Sequence, residues 1–329
     1  MTSGSSILIK IGIVGTGYAA RKRAEAIKQD QRAELLAVTG NTWAKTREYC
    51  QKYEVAAVDS WRQLVDLPQL DLIFICTTNQ NCGEIAQAAI QAGKHVVVEY
   101  PLSLKAKIAA EVIELAQVKG KLLHVEHIEI IGGLHQAVKQ YLAEIGTVFY
   151  ASYTTIAPQH PFTPSWKFHH SMFGFPLSAA LSRVHRLTDL FGKVANLTCR
   201  DRYWNLANSD YFTACFCQAQ LNFHNGITAD ITYGKGDVFY QSDRTLEIWG
   251  TKGKIVFRGQ QGTLIQQDKE KEIPVTPRRG LFAQDTTMVL DYLCDRQPLY
   301  LQPQASLYAL QVANAAQESA ATGKIVYLD

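Results

Sequence analysis

The apolar run "ILIKIGIV" stops at Gly15-Thr16-Gly17-Tyr18-Ala19-Ala20, and a helical pattern follows to about Gln29. No other stretch constrains the fold of this chain so strongly. The pattern is G-x-G-x-x-G/A with Ala20 in the third place, and taken alone it is a weak signal. Between a strand and a helix it becomes specific. Gly15 permits the tight turn, Gly17 lets the backbone approach a pyrophosphate, and Ala20 is small enough for helix–strand packing. The helix N-terminus then offers N–H donors to phosphate oxygens. Gly15, Thr16, Gly17, Tyr18 and Ala19 are the first candidate cofactor-binding residues.

Strand and helix patterns go on alternating. Strands are predicted at Glu34–Thr39, Val55–Val58, Leu70–Thr78, His95–Glu99 and Leu122–Val125, and helices at Ala44–Tyr53, Asn81–Ala92 and Lys105–Val118. Gly93 follows the second of these helices, as expected just past a helix end. Alternation of this kind implies an α/β domain of Rossmann type, a parallel sheet covered on both faces. Thr77, Thr78 and Asn79, at the end of a strand, join the cofactor-binding candidates.

The end of the second strand separates NAD from NADP. An NAD site usually carries an acid there to hold the ribose diol. This chain reads "LLAVTGNTWAKTR" from Leu35 to Arg47 without one. Asn41 and Thr42 offer hydrogen bonds, and Lys45 and Arg47 offer charge, a set that suits a 2′-phosphate. The expected cofactor is NADPH.

At 329 residues the chain is long enough for two domains. A net charge of +3 lacks the basic stripe of a nucleic-acid binder. No run of about 18 apolar residues would span a membrane. "MTSGSSILIK" lacks a leader pattern, so a cytoplasmic site is expected. The seven cysteines are scattered, none in a C-x-x-C pair, and read as free core thiols. His124 and His127 lie on a predicted strand three apart, on opposite faces, so no metal site is expected.

The segments "GIVGTGYAA", "AGKHVVVEYP" and "GKLLHVEH" resemble the Gfo/Idh/MocA oxidoreductase family. The resemblance implies a nucleotide-binding domain over residues 1–125 and a substrate-binding α/β domain over 126–329, with a large, mostly antiparallel open sheet. The family's usual strand-tip triplet is Glu-Lys-Pro, its lysine close to nicotinamide and substrate. Here it is Glu99-Tyr100-Pro101. With "HVEHIE" and "FGFPLSAALSRVHRLTDLFG", this variant resembles the branch that reduces the linear tetrapyrrole biliverdin to bilirubin. Sugar and cyclitol dehydrogenases of the family carry an Asp and a His four apart on a helix. The matching positions here look like Ser182 and Arg186, which leaves no base for alcohol oxidation.

Past a predicted helix at Leu134–Ile145 and a strand at Thr147–Ile156, residues Ala157–Pro176 read as a long loop with four prolines. It is rich in aromatic and basic residues, Trp166, Lys167 and His169 among them. These residues would cover a flat conjugated ligand, or pack on one another. A helix from Pro176 to Phe191 carries Arg183 and Arg186 on one face. They are site residues, or else a pair of surface arginines, or partners in a salt bridge to Asp189. The resemblance places an arginine of this helix beside the substrate, which favours Arg183. Strands are predicted at Leu197–Trp204, Phe212–Phe223, Ile227–Tyr233, Thr245–Trp249 and Lys254–Arg258, with helices at Asp285–Asp295 and Gln304–Thr322.

Reduction of a bilin needs a hydride at the central methine carbon, a proton at a pyrrolic nitrogen, and cations for two propionates. Arg183 with water is the expected proton relay, since a guanidinium is a poor acid near neutral pH. Lys167, Arg186, Arg278 and Arg279 are candidates for the propionates. Glu99, Tyr100, Glu126 and His127, at strand ends, complete the catalytic candidates. Glu99 and Glu126 would otherwise bond to loop backbone, and His127 would be a satisfied core histidine. The expected partner is a small molecule, with the chain a monomer or weak homo-oligomer. Two alternatives stay open: a sugar or cyclitol NADP-dependent oxidoreductase of the same family, and a non-catalytic bilin- or nucleotide-binding sensor.

Overall fold

The structure is a computed structural model that describes residues 8–328. Most of "MTSGSSILIK", the stretch read for a leader pattern, lies outside the described residues. The chain divides into two units: Met1–Ile128 with Gly280–Leu307, and Glu129–Arg279 with Tyr308–Asp329. The boundary expected after residue 125 thus falls at 128/129. Residues 280–307, expected in the second domain, belong to the first unit. The physical reason is packing: Val289 and Leu290 are fully buried in the first unit's core with Ile11, Ile13 and Ile27.

The first unit contains β1 (Ile9–Val14), α1 (Tyr18–Ile27), β2 (Ala33–Thr39), α2 (Trp43–Tyr53), β3 (Ala56–Ala57), α3 (Trp61–Val65), β4 (Leu72–Ile75), α4 (Cys82–Gln91), β5 (His95–Glu99), α5 (Ala106–Val118) and β6 (Leu123–Glu126). The strands form one parallel sheet in the order β3-β2-β1-β4-β5-β6. β4 is buried along its whole length, as a parallel strand covered on both faces must be. On α1 the buried positions Ala20, Arg23, Ala24 and Ile27 follow the helical i, i+3, i+4, i+7 spacing. One of those four is an arginine.

A short helix, α6 (Ile128–Ile131), straddles the division. The second unit continues with α7 (Gly133–Tyr141), β7 (Val148–Pro158), α8 (His170–Phe173), α9 (Pro176–Ala179), α10 (Leu181–Phe191), β8 (Val194–Asn205), β9 (Phe212–Phe223), β10 (Thr228–Gly236), β11 (Asp243–Gly250), β12 (Gly253–Arg258), β13 (Gln261–Gln266) and β14 (Lys269–Ile273). After α11 (Leu281–Asp295) of the first unit come α12 (Pro303–Thr322), within which the division falls, and β15 (Val326–Tyr327). The nine strands run in the order β14-β13-β12-β11-β7-β10-β9-β8-β15. Only β7 and β10 pair in parallel. β9 alternates buried and more open positions, with Cys215, Cys217, Ala219 and Leu221 all fully buried.

Three expectations need correction. The single helix expected from Pro176 to Phe191 is two, because Ala180 (φ −96°, ψ 34°) leaves the helical region. The helix expected to Ile145 tightens into a 3₁₀ turn after Tyr141. The long loop Ala157–Pro176 is not structureless. β7 reaches Pro158, Trp166–Phe168 form a 3₁₀ turn, and α8 follows. No helix of the described residues is long and apolar enough to cross a membrane.

Candidate active site

The nucleotide end of the first unit is built by β1, α1 and β2. Gly15 has φ +123°, and a Cβ there would stand 2.1 Å from the Cys76 carbonyl oxygen, so no other residue fits. A Cβ added at Gly17 would meet nothing within 4 Å, which leaves the backbone clear for a phosphate. No side chain caps α1 and its first turn holds no acid, so nothing on the helix competes with an anion for its N–H groups. Asn41, Thr42, Lys45 and Arg47 are exposed just past β2. Thr77 and Thr78 are half-buried and Asn79 is buried just past β4. Tyr18 is exposed at the start of α1. These residues fit an NADP-type dinucleotide.

β5 and β6 pair in register at Glu99 and Glu126, which sets two carboxyls side by side at the strand ends. Glu126 is buried and accepts from the Ile128 N–H at 2.6 Å. Burial, then the charge and hydrogen bond of Glu99, raise it well above its ordinary value, which favours the protonated carboxyl. Glu99 instead faces Arg23, at 3.0 Å. Arg23 also donates to Asp285 at 2.5 Å and Thr286 at 3.0 Å. Asp285 in turn holds His124 at 2.8 Å and Tyr300 at 2.7 Å. Burial alone would raise Asp285, but Arg23 and His124 outweigh it and hold the carboxyl well below its usual range.

Tyr100, whose bond to Pro101 is cis, lays its ring on the imidazole of His127, 4.9 Å between centres and 8° from parallel. His127 is fully buried, with Nε2 2.9 Å from the Ser306 hydroxyl and its backbone N–H donating to the Tyr300 hydroxyl at 3.0 Å.

The second unit holds a cleft lined by Glu129, Leu134, Tyr153, Thr155, Arg183, Arg186, Arg244, Leu246, Phe257, Gly259, Gln260 and Arg278. Sheet register assembles one wall: Thr155 on β7 stands opposite Arg244 on β11, and Tyr153 opposite Leu246. α10 supplies Arg183 and Arg186 from adjacent turns. The Arg183 Nη1 donates to the Ser182 hydroxyl at 2.7 Å and its Nε to Thr155 at 3.4 Å. Arg186 is 2% exposed. Its Nη2 reaches Glu129 at 3.3 Å and its guanidinium lies 5.7 Å from the Tyr153 ring centre. Its Nε and Nη1 are buried and have no hydrogen-bond partner. Arg278 pairs with the other Glu129 oxygen. The acid partner of Arg186 is therefore Glu129. Asp189, the partner considered from sequence, binds His135 and Lys139, each at 2.8 Å.

Trp166, Lys167 and His169 stand elsewhere. Trp166 packs on the cluster Phe168, Phe173, Phe212 and Cys215. His169 meets Tyr211 edge-on at 4.8 Å. The Lys167 carbonyl accepts from Lys235, whose ammonium is ringed by Phe168, Phe173 and Phe212 at 4.3, 3.4 and 5.4 Å. Burial pushes Lys235 down to about 7. Arg279 is exposed and does not line the cleft.

Sequence reasoning missed Arg23, Asp285, Glu129, Tyr153 and Arg244. A signal existed for two of them. Arg23 interrupts the apolar face of α1, and Arg244 continues the face of β11 that carries the buried Leu246 and Ile248.

Residues 9–127 match the oxidoreductase family model for a NAD-binding Rossmann fold, and residues 139–328 match that family's C-terminal alpha/beta domain. The chain belongs to the Gfo/Idh/MocA oxidoreductase family. Within that family it is 50% identical to the biliverdin reductase of Synechocystis sp. PCC 6803, whose crystal structure holds biliverdin and NADP+. That likeness covers 95% of this chain and 99% of the other, with a TM-score of 0.94. Mouse biliverdin reductase A is 29% identical over 188 residues, and human biliverdin reductase A is 27% identical over 152. These two matches take in 56% and 45% of this chain, and 58% and 48% of the mammalian proteins. A putative NADPH-dependent oxidoreductase from Desulfitobacterium hafniense, at 17% identity and a TM-score of 0.83, shares the fold.

Proposed function

We propose that this chain reduces biliverdin to bilirubin with NADPH. One observation carries the reading. Arg186 is a buried guanidinium with two unpartnered N–H edges, set among Arg183, Arg244 and Arg278 and beside the rings of Tyr153 and Phe257. Leaving buried donors unpaired costs roughly 1–3 kcal/mol each, more when they are charged. Such a cost makes sense where an anionic ligand supplies the missing acceptors. Biliverdin is flat, conjugated and carries two propionates. The half-identical Synechocystis enzyme, crystallised with biliverdin and NADP+, supports the same substrate and cofactor. The absence of an acid from Leu35 to Arg47 favours the phosphorylated dinucleotide.

When bound, NADPH supplies the hydride accepted by the central methine carbon. Arg183 polarises the bilin carbonyls and stabilises the charge that develops there. It keeps its own proton, because a guanidinium is a poor acid near neutral pH, and water held by it relays a proton from solvent to the pyrrolic nitrogen. Tyr100, flat on His127, positions rather than protonates. Trp166, Lys167 and His169 have no part in this reading.

Mixing the protein with biliverdin and NADPH tests it. Loss of the bilin's long-wavelength band and growth of a yellow product is the expected result. Binding without turnover would favour a sensor. Absence of both would overturn the reading.

A further inference from the structure

Among the residues lining the arginine cleft, Glu129 is the one acid. Its two oxygens are divided between two cations, Oε2 on Arg186 and Oε1 on Arg278. Its side chain is 18% exposed, so it borders the cleft rather than lying sealed beneath it. A glutamate side chain ends in the same group as a propionate. We infer that Glu129 is a built-in competitor for the substrate's carboxylate, which occupies the Arg278 and Arg186 donors until a bilin propionate takes its place. This inference rests on the biliverdin reading and deepens it.

Charge decides the sign of the effect. Four arginines and one glutamate leave the cleft three positive charges in excess. A dianionic bilin is attracted to the arginines and repelled by Glu129. Arg278, 47% exposed, is free to turn from Glu129 to a ligand, whereas Arg186, at 2%, stays in place. Product and substrate carry the same two propionates, so Glu129 loosens the hold on both. It sets affinity, and it keeps release fast enough for turnover.

Absorbance titration of biliverdin into wild type, Glu129→Gln and Glu129→Asp, without cofactor, tests the idea. Biliverdin dimethyl ester, which has no carboxylate, serves as the control ligand. The amide of Glu129→Gln keeps the shape and loses the charge. Biliverdin should bind it on the order of tenfold tighter, equivalent to about 1.4 kcal/mol, while the ester binds both proteins alike. Glu129→Asp keeps the charge but is too short to bridge both arginines, and should fall between. A glutamate that merely organises the arginines predicts the reverse, weaker binding of biliverdin on its removal. Weaker or unchanged binding in both variants overturns the inference while leaving the biliverdin reading intact. Tighter binding of the ester and the acid alike overturns it too, since the effect would not be carried by charge. If wild type and both variants fail to bind biliverdin at all, the functional reading falls, and this inference with it.

Discussion

Arg23 in the first unit and Arg186 in the second are both fully buried guanidinium groups that meet carboxylates, yet they are treated in opposite ways. Arg23 gives its Nε to Glu99 and its Nη1 to Asp285, Thr286 and the Phe282 carbonyl, its Nη2 lies 3.0 Å from Glu99 without a hydrogen bond, and its plane lies 5.3 and 5.1 Å from the rings of Phe74 and Phe282. Arg186 has one carboxylate oxygen at 3.3 Å and leaves Nε and Nη1 unpartnered. A buried cation held by two acids ties elements together, here α1 to α11. One left short of acceptors holds donors ready for a ligand, at a cost in stability. The same residue type therefore reads as structure in one unit and as site in the other, and the number of acceptors each guanidinium reaches, four against one, tells them apart.

The comparison breaks most readily at Arg23. Arg23→Met should lower unfolding free energy by about 3–5 kcal/mol, because the buried Asp285 and the half-buried Glu99 lose their counter-charge. Denaturant melting measures it, and a loss below about 1 kcal/mol would mean that the network is not holding the unit. Next, Arg183→Ala should cut kcat on the order of 10²–10³-fold, as removal of an oxyanion donor does. NADPH affinity should stay as it was, and near-wild-type turnover would discard the relay. Third, Arg186→Met sharpens the contrast directly. Biliverdin affinity should fall on the order of tenfold to a hundredfold, the worth of charged hydrogen bonds. The melting temperature should change far less than in Arg23→Met, since two orphaned donors leave with the side chain.

Smaller effects follow at the strand ends of the first unit. Glu126 holds its proton to higher pH in the folded state than in the unfolded chain. Its contribution to stability is thus complete below about 4.5 and is lost as pH rises toward its folded value. Glu126→Gln, which mimics the protonated carboxyl, should flatten that decline in melts recorded between pH 5 and 9. Least of all, Tyr100→Phe keeps the ring that stacks on His127 and should change turnover less than about threefold, under 0.7 kcal/mol. A collapse in that variant would make the hydroxyl a proton donor.

Much of the first unit was legible because its signals are local. A turn that admits only Gly15, an uncapped helix start and continuous apolar strands are written in consecutive residues. Arg183 and Arg186 were legible for the same reason, since helical spacing alone sets them on one face. The rest of the cleft depends on pairing at a distance. Arg244 reaches Thr155 through strand register across almost ninety positions of sequence, and Glu129 enters from a short helix with no periodicity to betray it. The aromatic stretch illustrates a different limit. Its composition announces rings, but a lysine from β10, Lys235, decides that they gather around an amine of the protein itself. In the same way, nothing near Arg23 in sequence announces Asp285.

That last pairing has a consequence for the order in which the protein is made. Strands β1 to β6 are complete when Glu126 leaves the ribosome, but Asp285, the closest counter-charge of Arg23, is translated roughly 150 residues later, on the order of 8–30 s at ordinary synthesis rates. Through that interval the nascent nucleotide-binding sheet holds an arginine whose principal acid does not yet exist. The first unit to be started is therefore among the last to be finished, and α11 closes it only after strands β7 to β14 of the second sheet have been synthesised.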